Sequence, residues 1–273
     1  MDESPRTRRG RVFGGVAEIY ERSRPGYPDE AVRWLVGRDA DTVLELGAGT
    51  GKLTSALVAG GHRVVATDPE ARMLRPLRKR VKGAHVVQAC AEQIPVRSAS
   101  VDVAVVAHAF HWFDHDRALG EIARVLRPGG TLALVWNLRD ESVPWVRRLG
   151  RIIGSERTPD PTDLLEESTL FDGVEHRSFR HWQEVDRDGL VDLVHSRSGV
   201  ADMPEQERAE VLDQVGELYD DYGRGHDGML LPYRCRAYRC RVSAAAQSGH
   251  PGRDQRSRDQ HGPLDDGLLI DFS

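Results

Sequence analysis

The 273-residue sequence predicts an α/β fold, with a mainly parallel sheet carrying helices on both faces. Three observations support this. Short apolar runs alternate with stretches of helical period between residues 42 and 136, the rhythm of strand–helix–strand units. Runs such as VDVAVVA (101–107) lack a clean alternation of apolar and polar residues, as strands buried on both faces do. A glycine-rich stretch, ELGAGTGKL (45–53), falls at the first passage from strand to helix, where open α/β sheets bind ligands.

The elements follow in order. Residues 1–10 are charged and are expected to be disordered. Asp29 opens an amphipathic helix over 30–36 that Gly37 closes. Thr42 to Leu46 is the first strand. Leu53, Ala56 and Leu57 give the first helix of the sheet layer, ended by Gly60-Gly61. Arg63 to Thr67 is the second strand, and Asp68-Pro69 is expected to cap the next helix. Pro76 lies within that helix, which predicts a kink or break near Arg72 to Arg75. Ala84 to Ala89 and Val101 to Ala107 are the third and fourth strands. Leu119, Ile122, Ala123 and Leu126 mark another helix face, stopped by Arg127-Pro128-Gly129-Gly130, and Thr131 to Trp136 is the fifth strand. Beyond residue 137 the pattern loosens. A helix carrying Trp145, Leu149, Ile152 and Ile153 is expected after Pro144, and a sixth strand at Val174 to Trp182. Another helix is expected from Pro204 through Leu212, Val215, Tyr219 and Tyr222, then a last strand at Met229 to Cys240. Residues 241–273, rich in Gln, Ser, Gly, Asp and Arg, read as a disordered tail. The division expected is 11–137 for a cofactor-binding half, 138–229 for an acceptor-shaping region and 230–240 for the last strand.

Composition narrows the class. Hydrophobic residues make up 39% and charged residues 30%, and the net charge is −5. A core can form, and nothing points to nucleic acid or anionic lipid as a partner. Cys90, Cys235 and Cys240 are too few for a disulfide framework and point to a reducing, cytoplasmic compartment. No apolar run approaches the ~20 residues of a membrane span. The cysteines have no neighbouring partners of metal-ligand spacing, so no metal is expected.

Three ligands compete for the loop Glu45-Leu46-Gly47-Ala48-Gly49-Thr50-Gly51-Lys52. A phosphate-binding Walker loop needs a glycine where Leu46 stands and a Ser or Thr where Leu53 stands, so it fails twice. A dinucleotide fingerprint, G-x-G-x-x-G, needs its third glycine at the place of Lys52 and finds it one position early, at Gly51. The G-x-G-x-G pattern itself is that of class I methyltransferases. Asp68, ending the second strand, suits two ribose hydroxyls and so favours a nucleoside without choosing which.

Further stretches carry a resemblance. Cys90-Ala91-Glu92-Gln93-Ile94-Pro95 follows the third strand, Ala107-His108-Ala109-Phe110-His111-Trp112-Phe113 the fourth, and Leu126 to Gly130 the helix after it. With Tyr20, Arg24-Pro25, Tyr27-Pro28, Val135-Trp136-Asn137 and, more loosely, Leu231-Pro232-Tyr233, their order resembles the class I S-adenosylmethionine-dependent methyltransferases. Within these it resembles the type 11 branch, which includes small-molecule methyltransferases such as trans-aconitate methyltransferase. The likeness spans about residues 12–240. It implies a Rossmann-like three-layer sandwich around a seven-stranded sheet whose last strand is antiparallel. It also implies S-adenosyl-L-methionine as cofactor, contacted by Tyr20, Glu45, Gly47, Ala48, Gly49, Gly51, Asp68, Ala91, Glu92 and His108, and a small-molecule acceptor.

In-line methyl transfer asks the protein mainly for positioning. Tyr20 and Tyr27 are expected to face the sulfonium, since an aromatic face attracts a cation. His111 is the candidate base for a hydroxyl or amine acceptor; a carboxylate would need none. Two alternatives stay open on the residues alone: a nicotinamide-dependent dehydrogenase, and a protein that binds S-adenosylmethionine without catalysis.

Overall fold

The computed structural model describes residues 23–155, 158, 160–222 and 228–248. Tyr20, the N-terminal residues 1–10 and the segment 249–273 lie outside them.

Seven strands form one sheet in the order β3-β2-β1-β4-β5-β7-β6. They are β1 (Thr42–Leu46), β2 (Arg63–Asp68), β3 (Ala84–Gln88), β4 (Val101–Ala107), β5 (Leu126–Arg139), β6 (Phe171–Val185) and β7 (Met229–Val242). β1 to β5 pair in parallel, and β7 runs antiparallel to both β5 and β6. The doubly wound α/β sheet with one antiparallel strand is as predicted.

Side chains alternate across a strand, and here both sides are covered. Val43, Val64, Val103, Val105, Ala133 and Val135 face one layer, built from α1 (Asp29–Val36), α2 (Lys52–Ala59) and α3 (Ala71–Arg80). Leu44, Leu46, Val65, Ala104, Val106 and Leu134 face the other, where α4 (His115–Val125) packs Ala118, Leu119, Ile122 and Val125. This two-sided burial explains why β4 reads as a continuous apolar run.

A third cluster lies beyond the sheet. Val146 and Leu149 of α5 (Pro144–Ile153), Leu190, Leu193 and Val194 of α7 (Arg187–His195), and Val215 and Leu218 of α9 (Glu205–Tyr222) pack together with Leu231 and Tyr233 of β7. The short helices α6 (Thr162–Glu167), α8 (Ser198–Ala201) and α10 (Ala244–Ser248) complete the described chain.

Five expectations change. The helix with Pro76 is unbroken over Ala71–Arg80, and its N-cap is Glu70 rather than Asp68. Leu74 and Leu77 are fully buried on either side of the proline and anchor both halves. Arg72, whose carbonyl would have received the missing N–H, is exposed, so water can serve it. The turn at Pro128-Gly129-Gly130 does not precede β5 but lies inside it, where the pairing with β4 shifts register between Val101 and Val103. β6 is longer than predicted, because β7 pairs with it from Phe171 to Val185. Residues 241–248, expected to begin the tail, are part of the fold: Val242 pairs with Phe171 and is buried, the Ser243 N–H donates to the Leu170 carbonyl at 2.9 Å, and α10 follows.

Candidate active site

The site forms where β1 and β4 end. Gly47, Gly49 and Gly51 all have positive φ, which makes the β1–α2 link a tight reversal that few other residues tolerate. The surroundings separate their duties. A Cβ on Gly47 would strike that of Ala109, and one on Gly51 would lie 2.7 Å from Cγ of Leu77. A Cβ on Gly49 would meet nothing within 4 Å. Gly47 and Gly51 therefore serve close packing, and Gly49 keeps space open.

Asp68 braces the loop from β2. One carboxylate oxygen accepts the Gly49 N–H at 2.9 Å and the other the Glu70 N–H at 2.8 Å. Burial raises its pKa, and these two N–H bonds oppose that. Each oxygen retains a second acceptor position. Glu45 lies beneath the loop at 1% exposure, its carboxyl receiving the Thr54 hydroxyl at 2.6 Å. Burial pushes its pKa up to about 8, with Thr54 opposing and Asp68 adding to the rise. Glu45 is thus mostly neutral at pH 7.

His108 follows β4 with φ of +55°, a left-handed conformation that His adopts more readily than most residues. Its Nε2 accepts the backbone N–H of Asn137 at 2.8 Å. That lone pair is therefore engaged, and in the neutral ring the proton sits on Nδ1. The loop after β3 is fastened to α4. Glu121 accepts the Ile94 N–H at 2.8 Å, and Arg124 donates to the carbonyls of Ile94 and Val96 at 2.9 Å each. Glu92 in turn accepts the Asp114 N–H at 2.8 Å.

A cleft opens over the glycine loop. Of the residues predicted from sequence, Glu45, Gly47, Ala48, Gly49, His108 and Tyr27 line it. Gly51, Asp68, Ala91 and Glu92 do not, although Asp68 is bonded to a residue that does. His111 is also outside the lining. It sits exposed on the single turn Phe110–Trp112, its ring 4.7 Å from that of Trp112.

Sequence reasoning did not assign Arg24, Thr50, Lys52, Asn137, Arg139, Leu193, Arg197 and Tyr233, which share the lining. Arg24, Asn137 and Tyr233 fell within the resembling stretches and could have been singled out. Arg139 and Arg197 carried no signal in a chain where arginine is common throughout. Among the described residues, no group of three His, Cys, Asp or Glu side chains is placed to hold a metal ion.

Comparison with known proteins decides the family. Residues 44–134 match the methyltransferase domain family. An uncharacterized methyltransferase of Mycobacterium tuberculosis is 45% identical over 225 residues, covering 81% of this chain and 91% of that protein. The chain belongs to the class I S-adenosylmethionine-dependent methyltransferases. An uncharacterized methyltransferase of Schizosaccharomyces pombe is 34% identical over 77% of this methyltransferase and 87% of its own length. The solved structure of a putative type II methyltransferase from Anaeromyxobacter dehalogenans superposes with a TM-score of 0.63 at 25% identity, over 80% of this chain and 97% of that one. A malonyl-[acyl-carrier protein] O-methyltransferase of Enterobacter lignolyticus is 34% identical over 166 residues, 57% of this methyltransferase and 65% of that protein.

Proposed function

We propose that this enzyme transfers methyl to a small-molecule acceptor, with donor and acceptor meeting in the cleft over the glycine loop. The observation that carries this is Gly49, which lines the cleft, lacks any neighbour where a Cβ would stand, and is braced by Asp68.

The residues present suit the donor. Gly47, Ala48 and Gly49 admit it closely, and the open acceptor positions of Asp68 suit ribose hydroxyls. Ala91 and Glu92, on the loop held by Glu121 and Arg124, serve the adenine side; His108 and Glu45 complete the wall. Tyr27 offers an aromatic ring to the sulfonium, a role Tyr20 is proposed to share. When bound, the donor supplies an electrophilic methyl; the protein's part is to orient it and exclude water.

Proton removal is not assigned to His108, whose Nε2 is engaged, nor to His111, which lies off the cleft. The helical cluster of α5, α7 and α9, within the region 138–229, shapes the acceptor end through Leu193 and Arg197. A cytoplasmic setting is proposed on the sparse free cysteines; among the described residues no helix is long and apolar enough to cross a membrane.

The experiment is transfer of labelled methyl from the donor to a cell extract divided into metabolite, protein and nucleic-acid fractions. Label in the metabolite fraction is expected. Label confined to protein or nucleic acid would overturn the acceptor class, and none anywhere would favour binding without catalysis.

A further inference from the structure

We infer that two copies of this chain pair edge to edge through β6, antiparallel about Trp182, with Arg180 of each copy opposite Glu184 of the other. β6 stands last in the sheet order, and among the described residues β7 is the one strand that pairs with it. Its other side presents main-chain N–H and C=O groups along a strand of 15 residues that contains no proline. Such an edge is a template for a further strand.

The side chains near the end of β6 choose the occupant. Arg180, Trp182 and Glu184 are two residues apart, so they share one face of the sheet, and all three are exposed. Trp182 is 58% exposed and lies opposite Pro232; Leu230, opposite Glu184, is 57% exposed. Trp182 and Leu230 are thus diagonal neighbours on that face. β7 offers neither charged residue a counter-ion. Opposite Arg180 stands another arginine, Arg234, which is bound to Asp140 at 3.0 Å, and opposite Glu184 stands Leu230. Among the described residues neither the Arg180 nor the Glu184 side chain has an ion-pair partner.

A base and an acid placed evenly about an aromatic residue are complementary to their own copy. A two-fold axis at Trp182 sets Arg180 opposite Glu184 twice, Phe179 opposite Val185 twice, and the two Trp182 rings opposite each other. This is a closed, isologous contact, the commonest kind in soluble dimers. Moving the axis by two residues would set Arg180 against Arg180, or Glu184 against Glu184. Opposite charges and aromatic pairs across strands stabilise, and like charges destabilise, so the side chains fix the register as well as the partner. The same stretch carries His181 and Gln183 on its other face, bonded to the Asn137 side chain and to the Ser23 carbonyl. The second copy therefore supports, from behind, the strand that holds Asn137 in the cleft wall.

The test is sedimentation equilibrium of the full chain over a wide range of concentration, with a monomer–dimer equilibrium expected. Arg180→Glu sets acids opposite acids, and Glu184→Arg sets bases opposite bases. Each is expected to weaken dimerisation about tenfold or more, with folding, checked by circular dichroism, unchanged because both positions are exposed. An equimolar mixture of the two variants regains both opposite-charge pairs and is expected to dimerise like the parent, as is the chain carrying both substitutions. Amide hydrogen exchange in residues 179–185 is expected to slow as the dimer forms. A parent that stays monomeric at every concentration would overturn the inference, leaving the edge to another occupant or to none. A dimer indifferent to both single substitutions, or a mixture that stays monomeric, would overturn it equally, by placing the contact on another surface.

Discussion

The Asn137 side chain links His181 to the N-terminal segment: its Oδ1 accepts from Nε2 of His181 at 3.0 Å, and its Nδ2 donates to the Gly26 carbonyl at 2.9 Å. A second relay runs beside it. The Tyr233 hydroxyl donates to Gln183 at 3.1 Å, and Gln183 donates to the Ser23 carbonyl at 2.6 Å. His181 and Tyr233 stack with ring centroids 5.2 Å apart. Strands β5, β6 and β7 together hold residues 23–27 against the cleft, where Arg24, Pro25 and Tyr27 form part of the wall.

Asn137→Ala should release this segment. Removing a 4% exposed amide leaves the Gly26 carbonyl and His181 without that partner, a loss of about 1–3 kcal/mol in stability. The affinity for S-adenosylhomocysteine should fall about tenfold as well, because the wall loosens. Thermal melting and calorimetry on the variant check both; unchanged affinity would show that the segment does not contribute to the donor site.

Gly49 and Gly51 should respond differently to alanine. Both require positive φ, at about 1–2 kcal/mol for a residue with a Cβ. At Gly49 the methyl enters open space in the cleft, so the variant should fold and lose donor binding. At Gly51 the methyl meets Leu77 at 2.7 Å, so stability should fall further. Denaturant unfolding and ligand titration on the pair separate the two effects.

Glu45 should make stability depend on pH. Its folded pKa, about 8, is above its ordinary value of 4.5, so between those values the folded state binds more protons than the unfolded chain. The protonated carboxyl is fully accommodated below pH 4.5. Stability then falls as pH rises towards 8, by up to about 1.4 kcal/mol per unit. Glu45→Gln keeps an acceptor for Thr54 and removes the titration. It should gain stability relative to the parent between pH 5 and pH 8, and urea unfolding at both values measures that gain.

His111→Ala should leave kcat within about twofold, since the ring is exposed on a turn outside the cleft. A fall of 10²-fold or more, the size expected for a general base, would restore the proton-transfer role that its place after β4 suggests. Steady-state turnover with an identified acceptor decides this.

Local pattern revealed much of this architecture. The strands β1 to β4 are short runs between breakers, and the glycine loop announces itself because its backbone needs are specific to one residue type. The place of Asp68 at the end of the second strand was legible, but its bond to the Gly49 N–H was not, because that contact depends on how the loop folds back over β2. The helix through Pro76 was misjudged because the burial of Leu74 and Leu77 is a tertiary property, outweighing a local penalty. The length of β6 was hidden for a related reason: it is an edge strand, largely exposed, and its ends are fixed by β7, dozens of residues later. Arg139 and Arg197 meet at one cleft only after β5 and the α5–α7–α9 cluster have come together, so no sequence spacing marks them.

Everything proposed for the cleft depends on its capacity to take the donor's adenosyl and sulfur-bearing parts. Isothermal titration of the full-length protein with S-adenosylhomocysteine, with NADH as the comparison ligand, measures that directly. The expected result is saturable binding of one S-adenosylhomocysteine per chain, abolished in Gly49→Ala, and no binding of NADH. Absence of S-adenosylhomocysteine binding by the folded parent, or saturable binding of NADH in its place, would contradict it.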